Sequence, residues 1–439
     1  MDWSFLIKDK DALNVTTDSR KVTPGCIFVA LKGEHFDGND FVEQAFAQGA
    51  EWVLMEDKEK YDSLPSEFQQ RKTLPFREGN GVGLIQDLAR AWRRQLGIPV
   101  IAITGTNGKT TTKELTAAVL SKRYKVCYTQ GNLNNQLGVP LTLLSMTRAH
   151  EMAIVEMGAS HPGDITELVE IAEPNYGLIT NVGKAHLQGF GSFEGVMRTK
   201  AELYDFLVAH NGLIFRNADN PYLEKMLDET ITNHQSPITN CLCYNTGSMP
   251  EGTHLVGNYN AENVQAAICV GKYFGVPEDQ ALAAIRAYVP SNNRSQFMQT
   301  ERNSVVVDAY NANPTSMQAA IEAFCQSAKR SNSATVLQRS GQTAEGGHET
   351  ARCFILGAMR ELGDYSHLEH QNIVNMLLER KEDKVLLVGE EYKQTTAPYP
   401  IFDNVDALCA HLQAEPLSGY HILLKGSRSN QLEKVIPLL

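Results

Sequence analysis

Apolar runs and amphipathic stretches alternate along most of this chain, and their order predicts its architecture. Cys26-Ile27-Phe28-Val29-Ala30-Leu31 follows the turn-forming Pro24-Gly25 and reads as a strand. Phe41, Val42, Ala45 and Phe46 recur at helical spacing before Gly49, and Trp52-Val53-Leu54-Met55 reads as a second strand. Together they predict a small N-terminal α/β domain, residues 1–83. Helical periodicity from Leu84 to Leu96 and the stop Gly97-Ile98-Pro99 open a central domain, residues 84–293. Its runs Val100-Ile101-Ala102-Ile103, Met152-Ala153-Ile154-Val155 and Tyr176 to Val182 are continuous, as in parallel strands buried on both faces. Between and after them, Ile165, Leu168, Val169 and Ala172, then Phe193 to Leu207, then Val264, Ala267, Ile268 and Val270 mark helices.

Pro290-Ser291-Asn292-Asn293-Arg294 is a polar break. Beyond it, strands at Val305-Val306-Val307, Phe354-Ile355-Leu356, Val385-Leu386-Leu387-Val388 and Ile422-Leu423-Leu424 alternate with helical stretches such as Met317 to Ala328. That alternation predicts a C-terminal Rossmann-like domain, residues 294–439, with a mostly parallel sheet. Ser331 to Arg352, rich in Ser, Thr, Gln and Gly, reads as a mobile surface loop.

The candidate chemistry centres on Thr104-Gly105-Thr106-Asn107-Gly108-Lys109-Thr110-Thr111-Thr112, which leaves a strand and enters a helix. Two glycines free the backbone to point successive N–H groups into one anion-sized hollow, and the helix adds its positive end. Lys109 is placed to reach nucleotide β- and γ-phosphates and Thr110 to ligate a magnesium ion, which makes the central domain P-loop ATPase-like. Glu156, at the carboxyl end of its strand, is a candidate magnesium ligand, and His186 follows the end of the next strand in the equivalent place. Three other clusters carry two readings each. Thr17-Asp18-Ser19-Arg20 is either an anion site or a capped turn with a solvated arginine. The amide-rich loop Gly131 to Pro140 suits a sugar or peptide ligand, or simply a turn. Asn258 to Asn263 either caps a helix or meets a nucleobase. Lys200, within a helix, reads by itself as a solvated lysine.

Composition narrows the class. A chain of 439 residues exceeds one core, and a formal charge of -11 argues against nucleic acid as a partner. Eight scattered cysteines, with only Cys241 and Cys243 close together, lack zinc spacing and read as reduced thiols of a cytoplasmic protein. The first residues lack a signal-peptide core, and no run predicts a membrane span.

These motifs resemble the ATP-dependent Mur ligases of bacterial cell-wall synthesis over nearly the whole chain. The resemblance rests on Thr17 to Arg20 with Leu31-Lys32-Gly33 and Phe36-Asp37-Gly38, on Thr104 to Thr112, on Gly131 to Asn135 and on Glu156-Met157-Gly158-Ala159. It continues through Asn181-Val182-Gly183 with Ala185-His186, Asp308 to Pro314, and Lys425-Gly426-Ser427-Arg428. The Glu156 to Ala159 and Tyr310 to Pro314 stretches point to the member that adds D-alanyl-D-alanine to UDP-N-acetylmuramoyl-tripeptide. The resemblance implies an enzyme using ATP and Mg2+, with an acyl phosphate formed at the tripeptide carboxylate; a monomer is the expectation, although the sequence itself carries no signal of oligomeric state. It implies that Thr104 to Thr111 hold phosphates, and that Asn263, Arg294 and Asp308 contact the nucleotide. Ser19 and Arg20 would meet the UDP end, and Asn134 and Asn135 the muramoyl portion. Thr110, Glu156, His186 and a carbamylated Lys200 would hold metal, with Lys109, His186 and Lys200 as the catalytic set. Two alternatives stay open: another carboxylate–amine ligase, earlier in the stem peptide or of the folylpolyglutamate type, or a noncatalytic nucleotide-binding regulator. The sequence departs from the family in carrying Ala358 where an aspartate usually follows Ile355-Leu356-Gly357, and in the length of Ser331 to Arg352.

Overall fold

The structure is a computed structural model that describes residues 2–75, 81–235, 240–290, 294–334, 351–380 and 383–439. Three sheets organise it. The first holds four parallel strands in sequence order, Val15–Thr16, Ile27–Ala30, Trp52–Met55 and Thr73–Pro75. Phe28, Val29, Val53 and Leu54 are fully buried, as the unbroken apolar runs require.

The helix Gly81–Leu96 starts three residues before the predicted Leu84 and runs across the 83/84 boundary. Leu84, Ile85, Leu88, Ala89 and Trp92 form its buried stripe, in a core that also takes Ile27 and Leu54 from the first sheet and Val100 and Val155 from the second. Trp92 Nε1 donates to the Met146 carbonyl at 2.9 Å, so even the indole's polar edge is satisfied.

The second sheet has six parallel strands in spatial order Asn240–Tyr244, Leu213–Asn217, Tyr176–Ile179, Val100–Thr104, Met152–Glu156 and Val126–Tyr128. Val100–Thr104 lies between the two other strands that the sequence pattern reveals, with Ile103 opposite Glu156 and Thr104 opposite Ile179. The chain leaves this strand to one side and later returns to the other, which opens a crevice beyond the strand's carboxyl end. Polar residues in Leu213–Asn217 and Asn240–Tyr244, and the three-residue length of Val126–Tyr128, hide these outer strands from an apolar-run reading.

The third sheet runs Gln296–Gln299, Ser304–Asp308, Tyr420–Lys425, Ala351–Gly357, Lys384–Val388 and Ile401–Phe402, parallel except for the antiparallel first edge strand. The predicted loop Ser331 to Arg352 needs correction at both ends. Ser331 to Ala334 continue the helix Pro314–Ala334, and Ala351 and Arg352 already belong to a strand; residues 335–350 lie outside the described residues. Ser and Ala extend a helix readily without apolar periodicity, so the pattern carried no signal there. Residues 291–293 of the predicted polar break also lie outside the described residues. Ala358 is fully buried in an apolar cluster with Met359, Leu362 and Tyr392. No disulfide forms among the described residues, and no helix among them is long and apolar enough to cross a membrane.

Candidate active site

The loop after Val100–Thr104 is shaped by its glycines and by the neighbouring strand end. Gly105 (φ +137°) and Gly108 (φ +80°) lie where side-chained residues are strained; a Cβ on the first would overlap Thr180 Oγ1, and on the second Asn263 Oδ1. Thr106 N donates to Asn181 O at 2.9 Å, Asn107 N to Asn181 Oδ1 at 3.0 Å, and Thr180 Oγ1 to Asn107 O at 2.6 Å. The protein's own hydrogen bonds therefore hold the cradle in shape. Helix Lys109–Leu120 then aims its N-terminus into the hollow. Lys109 Nζ donates to Gly105 O at 2.7 Å and Thr106 O at 3.0 Å, which keeps the ammonium folded over the cradle. Burial is the main cause that pushes its pKa down to about 8; Glu156 opposes the shift and Arg294 adds to it.

Glu156 is buried at the end of its strand. Asn134 Nδ2 donates to Oε1 at 2.8 Å, but Oε2 has no hydrogen-bond partner. Lys113, fully buried and donating to Thr129 O at 2.5 Å, stands 3.8 Å from that oxygen. A buried carboxylate oxygen with no hydrogen bond, in the cavity that Thr110 also lines, fits a hard divalent cation, which prefers oxygen donors.

A cavity of about 880 Å³ collects most of the sequence-predicted residues: Thr106 to Thr111, Asn134, Asn135, Glu156, His186, Asn263, Arg294 and Asp308 all line it. The third sheet supplies the far wall. The Arg294 guanidinium stacks 3.7 Å from the centroid of the Tyr310 ring. Asp308 accepts from Lys425 Nζ at 2.6 Å, and the same ammonium reaches Asn311 O at 3.2 Å. Asn313 Nδ2 donates to Asn107 Oδ1 at 2.8 Å, so the C-terminal unit touches the cradle directly.

The Lys425 ammonium is 1% exposed and the Asp308 carboxylate 17%. Asp308→Asn leaves that buried cation without its counter-charge, at a cost of about 3–5 kcal/mol. A lowered thermal midpoint by calorimetry checks this, and Lys425→Met on top of Asp308→Asn recovers most of the loss.

Several expected residues lie outside the cavity, and two that line it, Asn263 and Asn135, spend side-chain groups on the protein. Thr104 is fully buried, its Oγ1 donating to Met157 O at 2.8 Å, so it clamps two strands and does not face the cavity. Gly105 contributes shape and a carbonyl for Lys109 and does not line the cavity. Asn263 spends both ends of its amide on protein, accepting from Thr112 Oγ1 at 2.9 Å and donating to Asn260 Oδ1 at 2.9 Å. Asn135 Oδ1 accepts from Gly138 N at 2.8 Å and so supports a helix start. Ser19 and Arg20 sit on the first sheet's unit, away from the cavity. Asp18 accepts from Arg20 N at 3.0 Å and from its side chain at 2.8 and 2.9 Å, the capped-turn arrangement. Lys200 is 2% exposed, with Nζ 5.5 Å from the Phe190 ring centroid, and does not line the cavity. Burial first, and the charge of Lys109 second, push its pKa well below the ordinary lysine range. Among the described residues no three His, Cys, Asp or Glu side chains gather as a metal site.

Sequence reasoning missed Lys113, Asn181, Tyr310, Asn313 and Lys425 as individual contributors. Asn181, directly after an apolar strand, carried a positional signal; the others are defined by contacts between distant segments.

Comparison with known proteins gives a consistent picture. Residues 103–271 match the Mur ligase middle domain, and residues 13–91 match the Mur ligase family, catalytic domain. The UDP-N-acetylmuramoyl-tripeptide--D-alanyl-D-alanine ligase of Bacillus subtilis (strain 168) is 32% identical, covering 96% of this chain and 92% of that protein. The protein of the same name from Escherichia coli (strain K12) is 34% identical, with coverage of 97% and 93%. Among solved structures, the MurF ligase from Thermotoga maritima in complex with ADP superimposes with a TM-score of 0.80 at 26% identity, covering 98% of each chain. A MurF from Acinetobacter baumannii gives 0.78 at 26% identity, covering 97% of this chain and 92% of its own.

Proposed function

Because the chain belongs to the Mur ligase family, we propose that it is the ATP-dependent ligase that joins D-alanyl-D-alanine to the terminal carboxylate of UDP-N-acetylmuramoyl-tripeptide, giving the pentapeptide precursor of peptidoglycan. The observation that carries the reading is the single cavity in which a preformed phosphate cradle, the half-satisfied carboxylate of Glu156 and the Arg294–Tyr310 wall meet.

The tripeptide carboxylate attacks the γ-phosphorus of ATP, the bond to ADP breaks, and an acyl phosphate forms. The amine of D-alanyl-D-alanine then adds to the acyl carbon, loses a proton, and phosphate departs from the tetrahedral intermediate. No side-chain nucleophile is needed; the protein positions reactants and neutralises oxygen charge. With Thr106 N and Asn107 N given to Asn181, the N–H groups from Gly108 into the helix N-terminus bind the phosphates. Lys109 swings from Gly105 O and Thr106 O to the β- and γ-oxygens. Thr110 and Glu156 would hold Mg2+, with His186 beside them, and the bound ion would supply charge neutralisation to the transferring phosphoryl group. Lys200, buried outside the cavity lining, would join this set as a carbamate: burial favours the neutral amine, which can take up CO2 with loss of a proton to become an anionic oxygen ligand. Arg294 offers a cationic plane to the nucleotide. Asp308 and Lys425 fix the wall from which Arg294 reaches, and Asn263 backs Gly108.

The substrate ends divide along the chain. Residues 1–83 take the UDP end, where Asp18 holds the Arg20 guanidinium in place beside Ser19; 84–293 bind ATP, with Asn134 and Asn135 toward the muramoyl portion; 294–439 close over the nucleotide. The protein acts in the cytoplasm as a monomer.

Trapping the intermediate tests this reading. With ATP, Mg2+, UDP-N-acetylmuramoyl-tripeptide and hydroxylamine but no dipeptide, the tripeptide hydroxamate should accumulate with ADP, read by mass spectrometry. ADP without hydroxamate would contradict an acyl phosphate.

A further inference from the structure

The turn after strand Ala351–Gly357 is anchored at every residue, and its last member reaches into the other unit. Ala358 N donates to Val388 O at 2.8 Å, and Ala358 O accepts from Asn430 Nδ2 at 2.7 Å. Met359 N donates to Nε2 of the fully buried His370, whose Nδ1 faces Ser366 O at 2.7 Å. Arg360 pairs with Glu391 and donates to Ser429 Oγ at 3.2 Å. Glu361 then adopts φ +62°, rare for a side-chained residue, while its carbonyl accepts from Gln188 N of the central unit at 3.2 Å. This backbone sends the Glu361 carboxylate into ion-pair contact with Nδ1 of His186, itself at φ +49° and otherwise without a partner at that buried nitrogen. Two uncommon backbone conformations on two different units thus converge on one side-chain contact at the edge of the main cavity.

We propose that Glu361 is a positioning residue for His186: its carboxylate accepts a hydrogen bond from Nδ1–H, which sets the imidazole's rotamer and tautomer and leaves the Nε2 lone pair free to bind a ligand. A carboxylate behind a histidine has this effect in many ligand-binding histidines. The carboxylate comes from the C-terminal unit and the histidine from the central one, so the ring is set only when the two units are together. The inference deepens the ligase reading and rests on it for the catalytic consequence alone.

The neighbouring ion pair Lys184–Glu369, 2.7 Å across the same interface, supplies the control, because it joins the units without touching His186. In the metal-free protein, imidazole nitrogen-15 shifts should report an Nδ1-protonated His186. That signature should be lost in Glu361→Ala, retained in Glu361→Gln, whose amide oxygen still accepts the Nδ1–H hydrogen bond, and retained in Lys184→Ala. Glu361→Ala should lower kcat about 10–100-fold, with KM values for ATP and tripeptide within about threefold and an unchanged thermal midpoint. Glu361→Gln should recover most of that loss. An unaltered His186 signature in Glu361→Ala, or an equal kcat loss in Lys184→Ala, would overturn the proposal, the latter by showing a simple interdomain latch. Should the unaltered protein release no ADP with both substrates, the ligase reading fails, and the nitrogen-15 measurement still decides the role of Glu361.

Discussion

Lys109→Ala is expected to reduce ADP formation about 10³-fold, the size of effect seen when one preorganised donor to a developing oxyanion is removed. The folded chain explains why no neighbour substitutes. The ammonium is already over the cradle, bonded to Gly105 O and Thr106 O, and needs only to exchange two carbonyl acceptors for phosphate oxygens. Lys113, the other lysine at the cradle helix, is committed to Thr129 O and to the carboxylates of Glu114 and Glu156. A pH dependence follows. In the nucleotide-free chain Lys109 loses its proton as pH rises through about 8. Phosphate needs the cation, so ADP affinity should be full below that pH and should weaken above it. Binding above pH 8 should take up a proton, because the bound anion raises the lysine's pKa again. Calorimetry of ADP in buffers of different ionisation enthalpy reads this uptake, and Lys109→Met should abolish it.

Glu156→Gln should lower kcat by about 10²-fold and raise the magnesium requirement, while ADP binding in the absence of magnesium stays the same. The substitution keeps the shape of the side chain and the Asn134 Nδ2 bond to Oε1. It removes the negative charge from the oxygen that has no hydrogen-bond partner. Parallel titrations of ADP with and without magnesium separate the two effects. An unaltered magnesium dependence would show that Glu156 serves only as a counter-charge for Lys113, 3.8 Å away.

The parts of this site that one segment defines were legible in the sequence. Val100 to Ile103 is apolar throughout because the strand is buried on both faces, and the two glycines after it sit where any Cβ would meet Thr180 or Asn263. Glu156 stood out because a charged residue ended a buried strand. At Thr17 to Arg20 the turn is capped because Asp18 and Arg20 are close enough in sequence to satisfy each other, and the same bonds hold the arginine in place. What stayed hidden depends on contacts between distant segments. The stacking of Arg294 on Tyr310, the pairing of Asp308 with Lys425 and the approach of Glu361 to His186 join residues with no common local pattern. The outer strands of the central sheet were missed for a plainer reason: polar residues in two of them and the three-residue length of the other leave no continuous apolar run.

The central claim is that one cavity couples ATP cleavage to the joining of two particular substrates. The most direct test measures ADP release beyond the first turnover by the unaltered protein, with ATP and Mg2+, in the presence of UDP-N-acetylmuramoyl-tripeptide, of D-alanyl-D-alanine, of both, and of neither, using lysine- and diaminopimelate-containing tripeptides. Sustained release only when both substrates are present, with pentapeptide formed in equal amount, is the predicted result. Sustained release with a folate and glutamate in their place, or release that ignores the dipeptide, would contradict it.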